Sequence, residues 1–231
     1  MKTIGLIGGM SWESSDLYYQ ILNKKVQQTM GGVHSCECLM YSVDFAEIAA
    51  LQHQNNWDAL ATKMINAGQK LEKGGADFIL LCTNTMHKVA DEIQQNIKIP
   101  LLHIVDATAE EIQAKSLTKL GLIATKFSME GDFLRNRYKS KFDIDTIIPN
   151  EQERNDIHEI IYEELVKGII NKKSKRRFLE IIDNLIEQGA EGIISGCTEI
   201  ELLIKPSDIK VELFETTRLH AEKAVKLALT K

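Results

Sequence analysis

Residues 75–85 read GADFILLCTNT and residues 189–199 read GAEGIISGCTE, so the chain writes one segment twice. Each copy opens on Gly-Ala, runs through a short apolar stretch and ends in small polar residues with a cysteine among them. Such a run predicts a buried strand leading into a turn, and the leading glycine predicts the stop of the helix before it. Placed without gaps, Gly75 falls on Gly189, Ala76 on Ala190 and Ile79 on Ile193. Thr83 then falls on Cys197, Asn84 on Thr198 and Cys82 on Gly196. Neighbours in an extended chain point to opposite faces, so Cys82 and Thr83 cannot both serve one site. Internal symmetry gives the working position to Thr83 and strand packing to Cys82; a local one-residue shift that brings Cys82 to the site is the alternative.

Working outward, TIGLIGGMS (3–11) matches KLGLIATKFS (119–128), with Gly5-Leu6-Ile7 on Gly121-Leu122-Ile123. A weaker third match sets HIVDAT (103–108) against ELFETT (212–217). Three matches in one order at nearly constant offset predict two related halves. Apolar, β-branched runs alternate with helical patterns throughout, which predicts parallel strands joined by helices. Strands are expected at 3–8, 37–43, 77–82, 101–105, 119–124, 143–148, 191–195 and 211–214. Helices are expected at about 14–30, 54–74, 86–96, 106–114, 129–139, 151–168, 174–188 and 216–229. The fold class is therefore α/β, two related parallel-sheet halves.

The 231 residues are 44% hydrophobic and 26% charged, with a net charge of -5. A nucleic-acid or membrane-surface role would favour a basic excess, which is missing here. No apolar run reaches the roughly 20 residues of a membrane span, and the N-terminus reads as a first strand and turn, not a signal peptide. A cytoplasmic protein with reduced cysteines follows. Cys36 and Cys38 share a strand face without a second pair at zinc spacing, so they read as core thiols. NKKSKRR (171–177) reads as a solvated helix start.

In parallel sheets, ligands bind beyond the carboxyl ends of strands. The polar clusters lie there: Gly8-Gly9-Met10-Ser11, Thr83-Asn84-Thr85, Thr125 and Gly196-Cys197-Thr198-Glu199. Two such halves facing one another would set Thr83 and Cys197 on opposite sides of a cleft. Helix N-termini after these turns would suit a carboxylate, and the same field is expected to make Cys197 thiolate-like. GLIGGM is not G-x-G-x-x-G, so its glycines speak for a tight turn, not for a dinucleotide; nor is there a G-x-S-x-G elbow. His87, four residues after Thr83, suits a supporting role, and the other histidines show no metal spacing. Lys167 taken alone reads as a helix C-terminal cation.

MKTIGLIGGMSWESS, CTNTMHKVAD and GAEGIISGCTEIELL carry a resemblance to the aspartate/glutamate racemase family, closest to its broad-specificity amino-acid racemase branch, over residues 1–228. The resemblance implies two Rossmann-like parallel-sheet domains related by pseudo-twofold symmetry with the active site between them, and a last helix packed back on the first domain. Residues 1–98 plus 212–231 would form the first domain and 99–211 the second. It further implies a homodimer that racemises amino acids by two-base proton transfer, without pyridoxal phosphate, metal or nucleotide. Cys197 and Thr83 would then be the catalytic pair. Asn84, Thr85, Thr198, Ser11, Met10 and Thr125 would line the substrate, and Cys82, His87 and Glu199 would stand behind them. The usual first motif, C-N-T-x-H, here reads TNTMH, with Thr83 in place of a thiol and Cys82 one position early. Lys167 stands where acid-specific relatives read a side-chain carboxylate, but Phe45 replaces their arginine. Aspartate and glutamate are the substrates it favours. Hydantoin racemase, maleate isomerase and a catalytically weak amino-acid or dicarboxylate binder are the other readings.

Overall fold

The computed structural model describes residues 1–230 and divides into two units, Met1–Ile104 with His220–Lys231, and Val105–Leu219. In the first unit, β1 (Ile4–Gly8) lies between β2 (Cys38–Ser42) and β3 (Phe78–Leu81), all parallel. Helix α1 (Trp12–Met30) follows β1, α2 (Phe45–His53) and α3 (Trp57–Lys73) follow β2, and α4 (Ala90–Gln95) follows β3. In the second, the order is β5 (Asp145–Ile147), β4 (Lys119–Ala124), β6 (Gly192–Gly196), β7 (Glu212–Glu215), again parallel. Its helices are α5 (Ile104–Ala114), α6 (Lys126–Glu130), α7 (Asp132–Phe142), α8 (Glu151–Glu159), α9 (Lys172–Glu187) and α10 (Ile200–Leu203). Helix α11 (Thr216–Leu229) closes the chain.

The alternation within β3 sorts its side chains into two cores. Phe78, Leu80 and Cys82 join Ile4 and Leu6 against Tyr18, Leu22 and Val26 of α1 and Ala221, Ala224 and Val225 of α11. Ile79 and Leu81 join Ile7 on the other face against Leu60, Met64, Ala67 and Leu71 of α3. Both faces are covered by helices, which is why these strands are apolar throughout.

The internal repeat recurs bond for bond. Gly5 pairs with Ile79 and Gly121 with Ile193, the same residues that align in the sequence. Asp77 N–H donates to Thr3 O and Glu191 N–H to Lys119 O, each at 2.8 Å. Each acid also accepts from the backbone opposite it, Asp77 from Thr3 N–H at 2.6 Å and Glu191 from Lys119 N–H at 3.0 Å. Gly75 and Gly189 both adopt φ of 95°, the left-handed conformation that ends the preceding helix.

Several expectations change. The strand at 101–105 reduces to one bridge, Leu101 on Ile79, because Ile104 already starts α5 and buries Ile104, Val105, Ala109 and Ile112 at helical spacing. The helix at 54–74 is α3, which starts at Trp57 behind its cap Asn56, and α2, capped by Asp44 and parted from α3 by Asn55 at φ 55°, is a helix the pattern did not show. The helix at 151–168 ends at Glu159 and continues as a π turn over Ile160–Glu164 and a 3₁₀ turn over Leu165–Lys167. The units divide at 104/105 and 219/220, later than 98/99 and 211/212, since β7 pairs with β6.

Gly121 has no room for a side chain: a Cβ there would lie 2.8 Å from Ile193 Cδ1 and 3.0 Å from Leu185 Cδ1. Gly121→Val is expected to lower the unfolding free energy by about 1–3 kcal/mol, read as a lower urea midpoint. An unchanged midpoint would mean that this strand contact is not tight.

Candidate active site

At the carboxyl edge of the first unit's sheet, β1 and β3 end side by side and release two turns. The turn after β1 is shaped by Gly9 at φ 91°, where a Cβ would lie 2.2 Å from Val43 O. Gly9 N–H donates to Ser15 Oγ at 2.7 Å, and Ser11 caps α1 by accepting from Ser14 N–H at 3.3 Å. Ser14 Oγ–H donates to Cys82 O at 3.0 Å, which fastens the start of α1 to the end of β3. Ser11, Asn84 and Thr85 are buried at these turns, while Met10 packs its side chain into the core with Ile7, Ile48 and Met86.

Cys82 is wholly buried, and that burial pushes its thiol far above the ordinary range, with the Cys38 charge adding to it. Thr83, one residue on, is only partly buried. Its carbonyl receives the Nδ1–H of His87 at 2.8 Å, while His87 Nε2 accepts the Ile104 N–H at 3.1 Å.

In the second unit, Ala124 pairs with Gly196, so Thr125 and Cys197 leave adjacent strands. Thr125 begins α6 and donates its hydroxyl to Ser128 Oγ at 3.2 Å. Cys197 Sγ donates to Glu199 Oε2 at 2.9 Å, and Thr198 Oγ1 donates to the same oxygen at 2.7 Å. Burial, then the charge and hydrogen bond of Glu199, raise the Cys197 thiol well above its ordinary value, although the Glu199 backbone N–H works the other way. The expected thiolate is thus corrected to a thiol. The helix after Cys197 has four residues, Ile200–Leu203, too short a dipole to offset an adjacent carboxylate.

Two neighbours of Cys197 escaped sequence reasoning. Tyr162, on the π turn, is pushed up to about 12 by burial and by the Cys197 and Glu199 charges. Glu201 is raised to about 8 by burial and Glu215, and its Oε1 is buried without a hydrogen-bond partner. Nothing in the spacing pointed to Tyr162; Glu201 stands two residues past Glu199 and could have been weighed with it. Lys167 is exposed and pairs with Glu163 at 2.7 Å. Phe45 begins α2 against the core of the first unit.

Cys36 is buried and precedes β2, and Cys38 opens that strand half-buried. Among the described residues no group of His, Cys, Asp and Glu could hold a metal ion, and no helix is long and apolar enough to cross a membrane.

The family model for Asp/Glu/Hydantoin racemase matches residues 7–224. A crystal structure from Yersinia pestis, assigned as an Asp/Glu racemase, is 46% identical with a TM-score of 0.95 over 100% of both chains. That of an aspartate racemase homologue from Pyrococcus horikoshii OT3 is 34% identical with a TM-score of 0.86, again over 100% of both. The broad specificity amino-acid racemase RacX of Bacillus subtilis is 24% identical over 96% of each chain.

The Glu199 contact can be tested by alkylation. Glu199 and Glu201 are the charged groups acting on Cys197. Removing the Glu199 charge lowers the thiol pKa, so Glu199→Gln should shift the pH profile of Cys197 alkylation by iodoacetamide to lower pH, read by peptide mass spectrometry. An unchanged profile, or a shift upward, would contradict the contact.

Proposed function

The chain belongs to the Asp/Glu/hydantoin racemase family and is an enzyme of the amino-acid racemase type; on that premise we propose that it inverts Cα with two unequal groups, Cys197 and Thr83. The supporting observation is the strand register: Thr83 occupies in the first unit the position of Cys197 in the second, and Cys82 faces the core.

Inversion needs a proton removed from one face of Cα and returned on the other, so each unit would supply one group. Cys197 would be the base. Its resting thiol already donates to Glu199, and passing that proton to the carboxylate yields the thiolate that takes the Cα proton. A threonine hydroxyl is a far weaker base than a thiolate, whose unperturbed pKa is roughly 8.5. Thr83 would therefore donate or relay a proton to the carbanion, and the two directions would differ in rate. Asn84, Thr85, Thr198, Ser11 and Thr125 would surround the substrate, with their hydrogen-bonding groups and nearby backbone N–H groups stabilising the enediolate; Met10, expected among them, has its side chain in the core and would contribute backbone only.

Aspartate and glutamate are the substrates we favour. Lys167 is held only by an exposed ion pair, of the kind worth about 0–1 kcal/mol, so a substrate carboxylate could replace Glu163. Phe45, in place of a second cation, leaves room for neutral side chains. The same reading makes the protein a cytoplasmic homodimer that works without pyridoxal phosphate, metal or nucleotide.

Incubation in D₂O with L-aspartate, L-glutamate and neutral amino acids should give deuterium at Cα together with the D-enantiomer. Cys197→Ala should cut exchange by roughly 10²-fold or more, Cys82→Ala should leave turnover nearly unchanged, and Thr83→Cys should speed the slower direction. Binding without exchange would favour a dicarboxylate or amino-acid binder, and equal loss from Cys82→Ala would defeat the register.

A further inference from the structure

We propose that His87 is a positioning residue for inversion, fixing the Thr83 turn through the Thr83 carbonyl and the Ile104 N–H; the proposal rests on Thr83 acting at the second face. A carbonyl can only accept and a backbone N–H can only donate. Nδ1 of His87 must therefore carry the proton it gives to Thr83 O, and Nε2 must be bare to receive Ile104 N–H. One tautomer alone satisfies both.

His220 provides the mirror case. Tyr18 Oη–H donates to its Nδ1 at 2.8 Å, and its Nε2–H donates to Leu102 O at 2.8 Å. The two rings lie 5.8 Å apart, and His103 stands 4.5 Å from His87. All three are buried, His220 completely.

The place of these bonds separates positioning from core filling. Ile104 is the last residue of the first unit before the chain leaves it, and His220 is the first on its return. His87 thus ties the Thr83 turn to the point of departure, and His220 holds Leu102, two residues before it. A histidine that merely filled space would need no such match to two backbone groups of opposite demand.

Two isosteres separate the bonds. Asparagine places its amide nitrogen where Nδ1 stands, and glutamine places its terminal atoms where Nε2 stands. For aspartate in D₂O, Cα exchange with retention reports the Cys197 face, whereas inversion needs Thr83 as well. His87→Gln should lose inversion by roughly tenfold or more while keeping exchange with retention, and His87→Asn should recover inversion. Exchange and inversion falling together in both variants would make His87 structural only, and two unaffected variants would remove it from the reaction. A long-range ¹H–¹⁵N spectrum of the wild-type protein should show neutral His87 protonated at Nδ1 and neutral His220 at Nε2. The opposite tautomer at His87 overturns the proposal whatever the activity. A wild-type chain that exchanges no Cα proton overturns the racemase reading itself, and with it any role of His87 in inversion.

Discussion

In each unit a glycine of the central strand lies against an isoleucine of its neighbour with no space left over. A Cβ on Gly5 would lie 3.1 Å from Ile79 Cγ2, and one on Gly121 would lie 2.8 Å from Ile193 Cδ1. Those contacts lock β1 to β3 and β4 to β6, and the lock fixes where each strand ends. The ends determine which residues the turns present. Side-chain alternation does the rest, sending one residue to the core and the next to the turn.

Because the repeat is preserved at the level of backbone bonds, the chain's own sequence revealed most of the fold. Gly75 and Gly189, Asp77 and Glu191, Gly5 and Gly121 do the same work in each half, so the comparison needed no second protein. What stayed illegible is local. Helix α2 went unread before Asn55, whose left-handed backbone parts it from α3, and the residues 102–105 combine strand-like composition with helical burial. The matching strand ends that carry Thr83 and Cys197 were legible, but the state of the Cys197 thiol was not. Sequence places Glu199 two residues from Cys197, yet only its side-chain conformation shows that the carboxylate receives the thiol proton.

That contact changes the character of the second turn. A thiolate favoured by a helix dipole would be a standing nucleophile open to oxidation. A thiol paired with a carboxylate is inert until its proton moves, and both partners are already within hydrogen-bonding distance. Thr198 donates to the same oxygen, which holds the acceptor in place beside the thiol.

The remaining asymmetry is at the residue before Thr83 and before Cys197. In the second unit this is Gly196, where a Cβ would lie 2.9 Å from Ala124 Cβ. In the first it is Cys82, which has a full side chain and a place for it among Leu6, Leu80 and the residues of α1 and α11. Bringing that thiol to the turn would require β3 to slip by one residue. A slip of one reverses every face of a strand, so Phe78 and Leu80 would leave the core they share with Tyr18 and Leu22, and Ile79 would leave the face where Gly5 receives it. The backbone bonds from Cys82 N–H to Ile7 O and from Ser14 Oγ to Cys82 O would break as well. Cys82 is thus held in the core by the packing that forms the sheet, and the first turn presents a hydroxyl because Thr83 is the residue the register delivers there.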